Sequence, residues 1–265
     1  MHAVLVQINP AVQSTGIPMI KSSSPRRTTS AHAQLAVVPT RCSGCKLREV
    51  CLPCGLQGAD PELLEDLDYT RRKVKRGDAL FRAGAEFDAI YAVRTGFLKS
   101  SVVLEDGRDQ VTGFHMAGEI VGLDGIGTGR HASDVTALED SEVCIIPYAR
   151  LEQPGLQRQL QIVMSRELVR DQGVMMLLGT MRAEERLAAF LLNLSQRFVA
   201  RGFSPSEFHL RMTREEIGSY IGLSLETVSR LFSRFQDDGL ITVQQKHIRI
   251  LDIPGLKAVM FQPTE

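Results

Sequence analysis

Four of the five cysteines in this chain of 265 residues, Cys42, Cys45, Cys51 and Cys54, fall within thirteen positions with the spacing C-x2-C-x5-C-x2-C. A thiolate is a nucleophile and a soft metal ligand, so clustered thiols point to metal or redox chemistry. Two pairs on a short loop can close tetrahedrally on zinc, and the same spacing serves an iron–sulfur cluster equally well. Core packing is the poorer account, because the stretch around them, TRCSGCKLREVCLPCGLQG, is polar and carries glycines. The fifth cysteine, Cys144, lies in SEVCIIPY, where a lone cysteine ordinarily fills core space.

A second stretch, MTREEIGSYIGLSLETVSRLFSRFQDDG, carries a different chemistry. Thr213 and Glu216 form a capping box that starts a short helix running through Tyr220. Gly222 suits a tight turn, and Ser224 caps a second helix. In that helix Val228, Leu231, Phe232 and Phe235 make an inward stripe, which leaves Glu226, Ser229, Arg230 and Ser233 on the outer face near its N-terminal end. A DNA-recognition helix touches base edges there. Arg230 suits guanine O6 and N7, Glu226 suits cytosine N4, and Ser229 suits a base or a thymine methyl. Arg214 and Arg234 are expected on phosphates, which set register without reading sequence. LITVQQKHIRIL then reads as two strands of a wing.

The rest of the chain must position these groups. Basic and acidic residues balance at 31 each, so attraction to nucleic acid has to be local. No apolar run approaches the roughly 18 to 20 residues that span a bilayer, and a cytoplasmic, reducing location is expected, where clustered thiols seldom form structural disulfides. Residues 1–40, rich in Ser, Thr and Pro, read as a disordered leader, and 41–58 as a cysteine-rich segment. Residues 59–152 hold short β-like runs between glycines, as in a small barrel or sandwich. Residues 153–182 turn helical, with Met164, Leu168, Asp171, Met175 and Leu178 in one seam. Such a helix either packs on its own domain or forms a dimerisation coiled coil, in which two facing aspartates would weaken the pair. Residues 183–265 carry the helix-turn-helix. No Ser/His/Asp grouping, phosphate loop or H-E-x-x-H appears, so an enzyme is not expected.

TREEIGSYIGLSLETVSRLFSRF resembles the winged helix-turn-helix of the CRP/FNR family of bacterial transcription regulators. GDALFRAGAEFDAIYAVRTGFLKS resembles that family's β-roll, while VTGFHMAGEIVGLDGIGTG and AEERLAAFLLNLSQRFVARGFSPSEF are similar almost residue for residue to its oxygen-responsive FNR branch. The resemblance covers about 42 to 250. It implies an α+β fold: an N-terminal, cupin-like β-roll sensor domain, a long dimerisation helix and a C-terminal winged helix-turn-helix. It further implies a homodimer that binds double-stranded DNA, touches RNA polymerase, and holds a [4Fe-4S] cluster whose destruction by oxygen reverses DNA binding.

Carried over by position, Cys42, Cys45, Cys51 and Cys144 match the family's cluster ligands, leaving Cys54 as a rival ligand. Glu226, Ser229 and Arg230 match its E-x-x-S-R base-reading set for an inverted repeat of TTGAT half-sites, and Asp171 matches its seam acid. Zinc or thiol-redox chemistry on the same scaffold is the alternative. Cyclic-nucleotide binding is not expected: Gly118 and Glu119 match one half of that site, but Arg130 is followed by His131 and Ala132 rather than Ser or Thr.

Overall fold

Short runs of branched and aromatic residues between glycine turns fold into two antiparallel sheets. A computed structural model describes residues 40–42, 45–47, 50–52 and 68–260. The leader expected over 1–40 lies outside them except for residue 40, and Cys54 lies outside them too. The strands are β1 (Thr40–Arg41), β2 (Asp68–Val74), β3 (Ala79–Phe81), β4 (Ala89–Thr95), β5 (Phe97–Val103), β6 (Asp109–Met116), β7 (Ile120–Val121), β8 (Asp134–Ala137) and β9 (Ser141–Pro147). One sheet runs in the order β1-β2-β9-β4-β7 and the other β3-β8-β5-β6. Val74, Leu80, Val93, Leu98, Val135 and Val143 form part of the core between them.

The last strand, β9, feeds a short helix α1 (Tyr148–Leu151) and then the long helix α2 (Pro154–Thr180). Pro154 at the start of α2 removes an N–H that would have no intrahelical partner. Its 27 residues span about 40 Å. Its first turns are the most deeply buried: Leu156, Leu160 and Val163 are buried with Ile90, Ile120 and Ile146 of the roll. The rest of α2 carries no fully buried side chain.

The chain ends in α3 (Ala183–Val199), β10 (Glu207–His209), α4 (Arg214–Ile221), α5 (Leu225–Asp237), β11 (Ile241–Gln244), β12 (His247–Ile250) and α6 (Ile253–Val259). Helices α4 and α5 are the helix-turn-helix, and β10-β12-β11 form the wing sheet. The wing has a third strand where the sequence SPSEF reads as turn-rich; β10 forms because β12 offers it an antiparallel edge. The α+β architecture of β-roll, long helix and winged helix-turn-helix is thus the one expected. Among the described residues no helix is long and apolar enough to cross a membrane.

The roll and the C-terminal domain share one core, since Phe97, Val111, Phe114 and Met116 pack with Leu187, Leu191, Ile217 and Phe232. At its rim Glu119, in the turn between β6 and β7, joins three elements. Arg197 of α3 donates from Nε to Oε1 at 3.0 Å and from Nη2 to Oε2 at 2.6 Å. Arg201, beyond α3, donates to Oε1 at 2.7 Å, and Arg170 of α2 lies 3.7 Å from Oε2. Burial pushes the Glu119 carboxyl up, but Arg197, Arg201 and Arg170 outweigh it and bring it down to about 2.

A carboxylate depressed in this way contributes stability that is complete above its unfolded value of 4.5 and is lost as pH falls through about 2. The shift corresponds to about 3 kcal/mol at neutral pH. Glu119→Gln is therefore expected to lose about 3 kcal/mol in urea unfolding at pH 7, with the difference from wild type closing toward pH 2; a pH-independent difference would contradict the assignment.

Candidate functional site

Pairing of β1 with β2 sets Thr40 opposite Tyr69 and delivers Cys42 beside that strand. The Cys45 N–H donates to the Cys42 carbonyl at 3.1 Å, which brings the first two cysteines together. The N–H groups of Val50 and Cys51 both donate to Leu47, at 3.0 and 2.9 Å. Leu52, 1% exposed, pins the end of the segment into the core. Cys144 arrives from mid-sheet, opposite Arg71 of β2 and Ala92 of β4.

All four described thiols line one narrow cavity of about 20 Å³, with Tyr69, Arg94 and Ile146 in its wall. Burial, reinforced by Cys51, Cys144 and Cys45, pushes the Cys42 thiol up to about 12, while Arg94 opposes the rise. Cys144 is also raised, chiefly by burial and against Arg94. Four thiolates cannot share this space without a compensating positive charge, which a bound metal supplies.

Among the described residues no three His, Cys, Asp or Glu side chains are placed to hold a metal ion between them. Zinc requires every sulfur about 2.3 Å from one centre. A four-iron cluster spreads its four cysteine ligands over a larger body, and four cysteines are a donor set that either zinc or such a cluster takes. The cavity has room for roughly one water, so seating a cluster requires the segment that carries Cys42, Cys45 and Cys51 to move outward.

The helix-turn-helix is built as its sequence dictates. Thr213 Oγ1 accepts from Glu216 N–H at 3.1 Å, and Glu216 Oε2 accepts from Thr213 N–H at 2.8 Å. Gly222 ends α4 at φ 67°, a left-handed conformation that glycine adopts without strain. Ser224 Oγ accepts from Thr227 N–H at 3.2 Å. Val228, Leu231, Phe232 and Phe235 are buried, and Glu226, Ser229, Arg230 and Ser233 are exposed on the opposite face of α5.

Arg234 is exposed at the far end of α5, ion-paired with Glu184 and, at 3.7 Å, with Asp238. Arg214 departs from the outward position expected for it. Its guanidinium carbon lies 3.2 Å from the centre of the Phe232 ring, Nη1 is buried without a hydrogen bond, and burial lowers its pKa to about 10. Stacking on an aromatic face holds this cation against the core.

Along α2, Met164, Leu168 and Met175 are 43%, 58% and 63% exposed, Asp171 is exposed among them, and Leu178 is half-buried. Val169 and Met176 are exposed too, further round the helix. An exposed apolar stripe of this length is the kind of surface that association buries.

In the roll, Glu119 is engaged by arginines, and Arg130 lies at the surface, donating to the Gly84 carbonyl at 2.7 Å. His131 is buried, stacked on Phe81 with ring centres 3.7 Å apart, and its Nδ1 lies 3.1 Å from Asp124. Residues Thr112 to Glu119 are mostly strand β6, with Phe114 and Met116 buried. Sequence reading missed the partners of Glu119, because Arg170, Arg197 and Arg201 lie 51 to 82 positions away.

Residues 185–259 match the Crp-like helix-turn-helix domain, and 71–154 match the cyclic nucleotide-binding domain. The transcriptional regulatory protein Btr of Bordetella pertussis is 50% identical over 83% of this chain and 93% of its own length. The fumarate and nitrate reduction regulatory protein of Escherichia coli is 45% identical over 79% of this chain and 86% of its own. The solved structure of FixK2 from Bradyrhizobium japonicum superposes with a TM-score of 0.68 at 28% identity, covering 75% of this chain and all of that one.

The raised Cys42 pKa is checked by alkylation of metal-free protein. At pH 8 the rise from 9.0 to about 12 leaves roughly a thousandfold less thiolate than in the unfolded chain. Cys42 is expected to label only as the protein unfolds; labelling as fast in buffer as in urea would show that it is not buried among the other thiols.

Proposed function

The chain belongs to the CRP/FNR family of transcription regulators, and we propose that within it this protein is an oxygen-responsive switch for anaerobic genes, with a [4Fe-4S] cluster held by Cys42, Cys45, Cys51 and Cys144. The observation that carries this reading is the convergence of three thiols from a local segment and one from β9 on a common cavity. When bound, such a cluster supplies an oxygen-labile centre whose loss frees the four thiols.

The chain's own residues supply the readout. Cys42 and Leu52 are buried in the same core as Leu151, Leu156, Leu160 and Val163, at the root of α2. With four thiols held together, the cysteine segment is fixed against β9 and that root. Released, it keeps only the burial of residues such as Cys42 and Leu52. The packing at the start of α2 then has two states, which a ligand at the thiols biases.

Met164, Leu168, Met175 and Leu178 form the seam of a homodimer in which the two Asp171 carboxylates oppose association. Pairing along α2 sets two recognition helices on an inverted repeat of TTGAT half-sites, and separation of the copies gives up the linked second contact. Glu226, Ser229 and Arg230 read bases, and Arg234 touches phosphate. RNA polymerase is the further partner. Cyclic nucleotide has no part in this reading, since the engaged Glu119 and the outward Arg130 leave neither ribose nor phosphate a partner.

Iron and acid-labile sulfide in anaerobically purified protein test the proposal. Equal amounts of both are expected in wild type and neither in Cys144→Ser; zinc without sulfide would assign the site to the zinc alternative, and loss only in Cys54→Ser would change the ligand set. Asp171→Ala is expected to dimerise and bind the site in air, and a monomer there would contradict the seam account. Arg230→Ala should cost about 1–3 kcal/mol in binding and relax preference at one base pair, whereas Arg234→Gln should weaken binding to all sequences alike and flatten its salt dependence.

A further inference from the structure

Among the described residues, six buried side-chain nitrogen or oxygen atoms lack a hydrogen-bond partner, and two of the six belong to residues in the wall of the thiol cavity: Tyr69 Oη and Arg94 Nη1. Buried donors without acceptors are rare in native proteins, and two at one small cavity call for a common acceptor. Neither side chain is free to turn away. Tyr69 is 4% exposed and fixed by the pairing of β2 with both β1 and β9. Arg94 is tethered through Nε, 3.1 Å from Glu142 Oε2, and Glu142 stands two residues before Cys144 in β9.

We propose that Tyr69 and Arg94 are the dedicated hydrogen-bond donors for the anionic iron–sulfur group that the four cysteines hold. This rests on the cluster reading above. Thiolate and sulfide sulfurs accept hydrogen bonds, and their summed negative charge in a buried site needs both donors and a nearby cation. Tyr69 supplies a neutral O–H, a phenol being an ordinary hydrogen-bond donor. Arg94 supplies a permanent positive charge in a planar fork, one nitrogen of which is committed to Glu142. In metal-free protein the cavity takes at most about one water, so the Tyr69 hydroxyl is then poorly satisfied.

The two states of the protein therefore respond in opposite senses to Tyr69→Phe. Metal-free Tyr69→Phe is expected to melt at the wild-type temperature or above it, because a poorly partnered buried hydroxyl has been removed. Loaded Tyr69→Phe is expected to assemble the same iron and sulfide content but to release iron to a chelator under anaerobic conditions on the order of 10-fold faster. Arg94→Lys, which keeps the charge and loses the fork, should fall between wild type and Arg94→Gln in the same assay. Wild-type release rates in Tyr69→Phe and Arg94→Gln would overturn the assignment while leaving the cluster reading intact. A lower melting temperature for metal-free Tyr69→Phe would also overturn it, since the hydroxyl would then have a partner within the protein. Wild-type protein that assembles no iron and sulfide would remove the cluster reading and this inference together.

Discussion

One buried carboxylate ties the three working parts of this chain together. Glu119 leaves the β-roll in the turn after β6 and takes Arg197 and Arg201 from the DNA-binding domain and Arg170 from the long helix. A carboxylate removed from water is tolerated only when opposite charge and hydrogen bonds replace its hydration, and here the guanidiniums more than do so. Losing any one leaves charge buried without a full complement. The domains are therefore held in a defined relation rather than strung on flexible connections.

The cysteine segment reaches the same place. Gly118, adjacent to Glu119, has φ 90°, and a Cβ there would fall 2.5 Å from Val50 Cγ2. Only glycine permits both that backbone and that approach. The segment thus touches the rest of the protein at the root of α2 through Leu52 and beside the arginine clamp through Val50. A change of state at the thiols has two packed routes outward, one to the long helix and one to the DNA-binding domain. Packed interfaces of this kind shift between discrete arrangements rather than deform smoothly.

The parts of the fold governed by local rules were legible in the sequence. The capping box at Thr213, the glycine turn at Gly222 and the apolar stripe of α5 are short-range patterns, and each has the geometry its residues dictate. The four thiols of the candidate site were named from spacing and family likeness, but spacing alone left zinc and cluster even. The structure adds a tertiary fact, the arrival of Cys144 from the middle of a sheet at the cavity lined by the other three. The arginine clamp, Tyr69 and Arg94 had no sequence signal, because each depends on elements brought together by folding. Arg214 was expected on phosphate, and it is the ring of Phe232, brought beside it by folding, that holds its guanidinium.

In the proposed switch the thiol-bound group governs pairing of the long helices. This coupling is tested most directly by sedimentation of one anaerobic sample, followed at the protein and cluster absorbances together, before and after admission of air. If the thiols govern assembly, the coloured species sediments as a dimer and the colourless species as a monomer, in both wild type and Arg230→Ala. A coloured monomer, or a colourless wild-type dimer after air, would contradict the coupling.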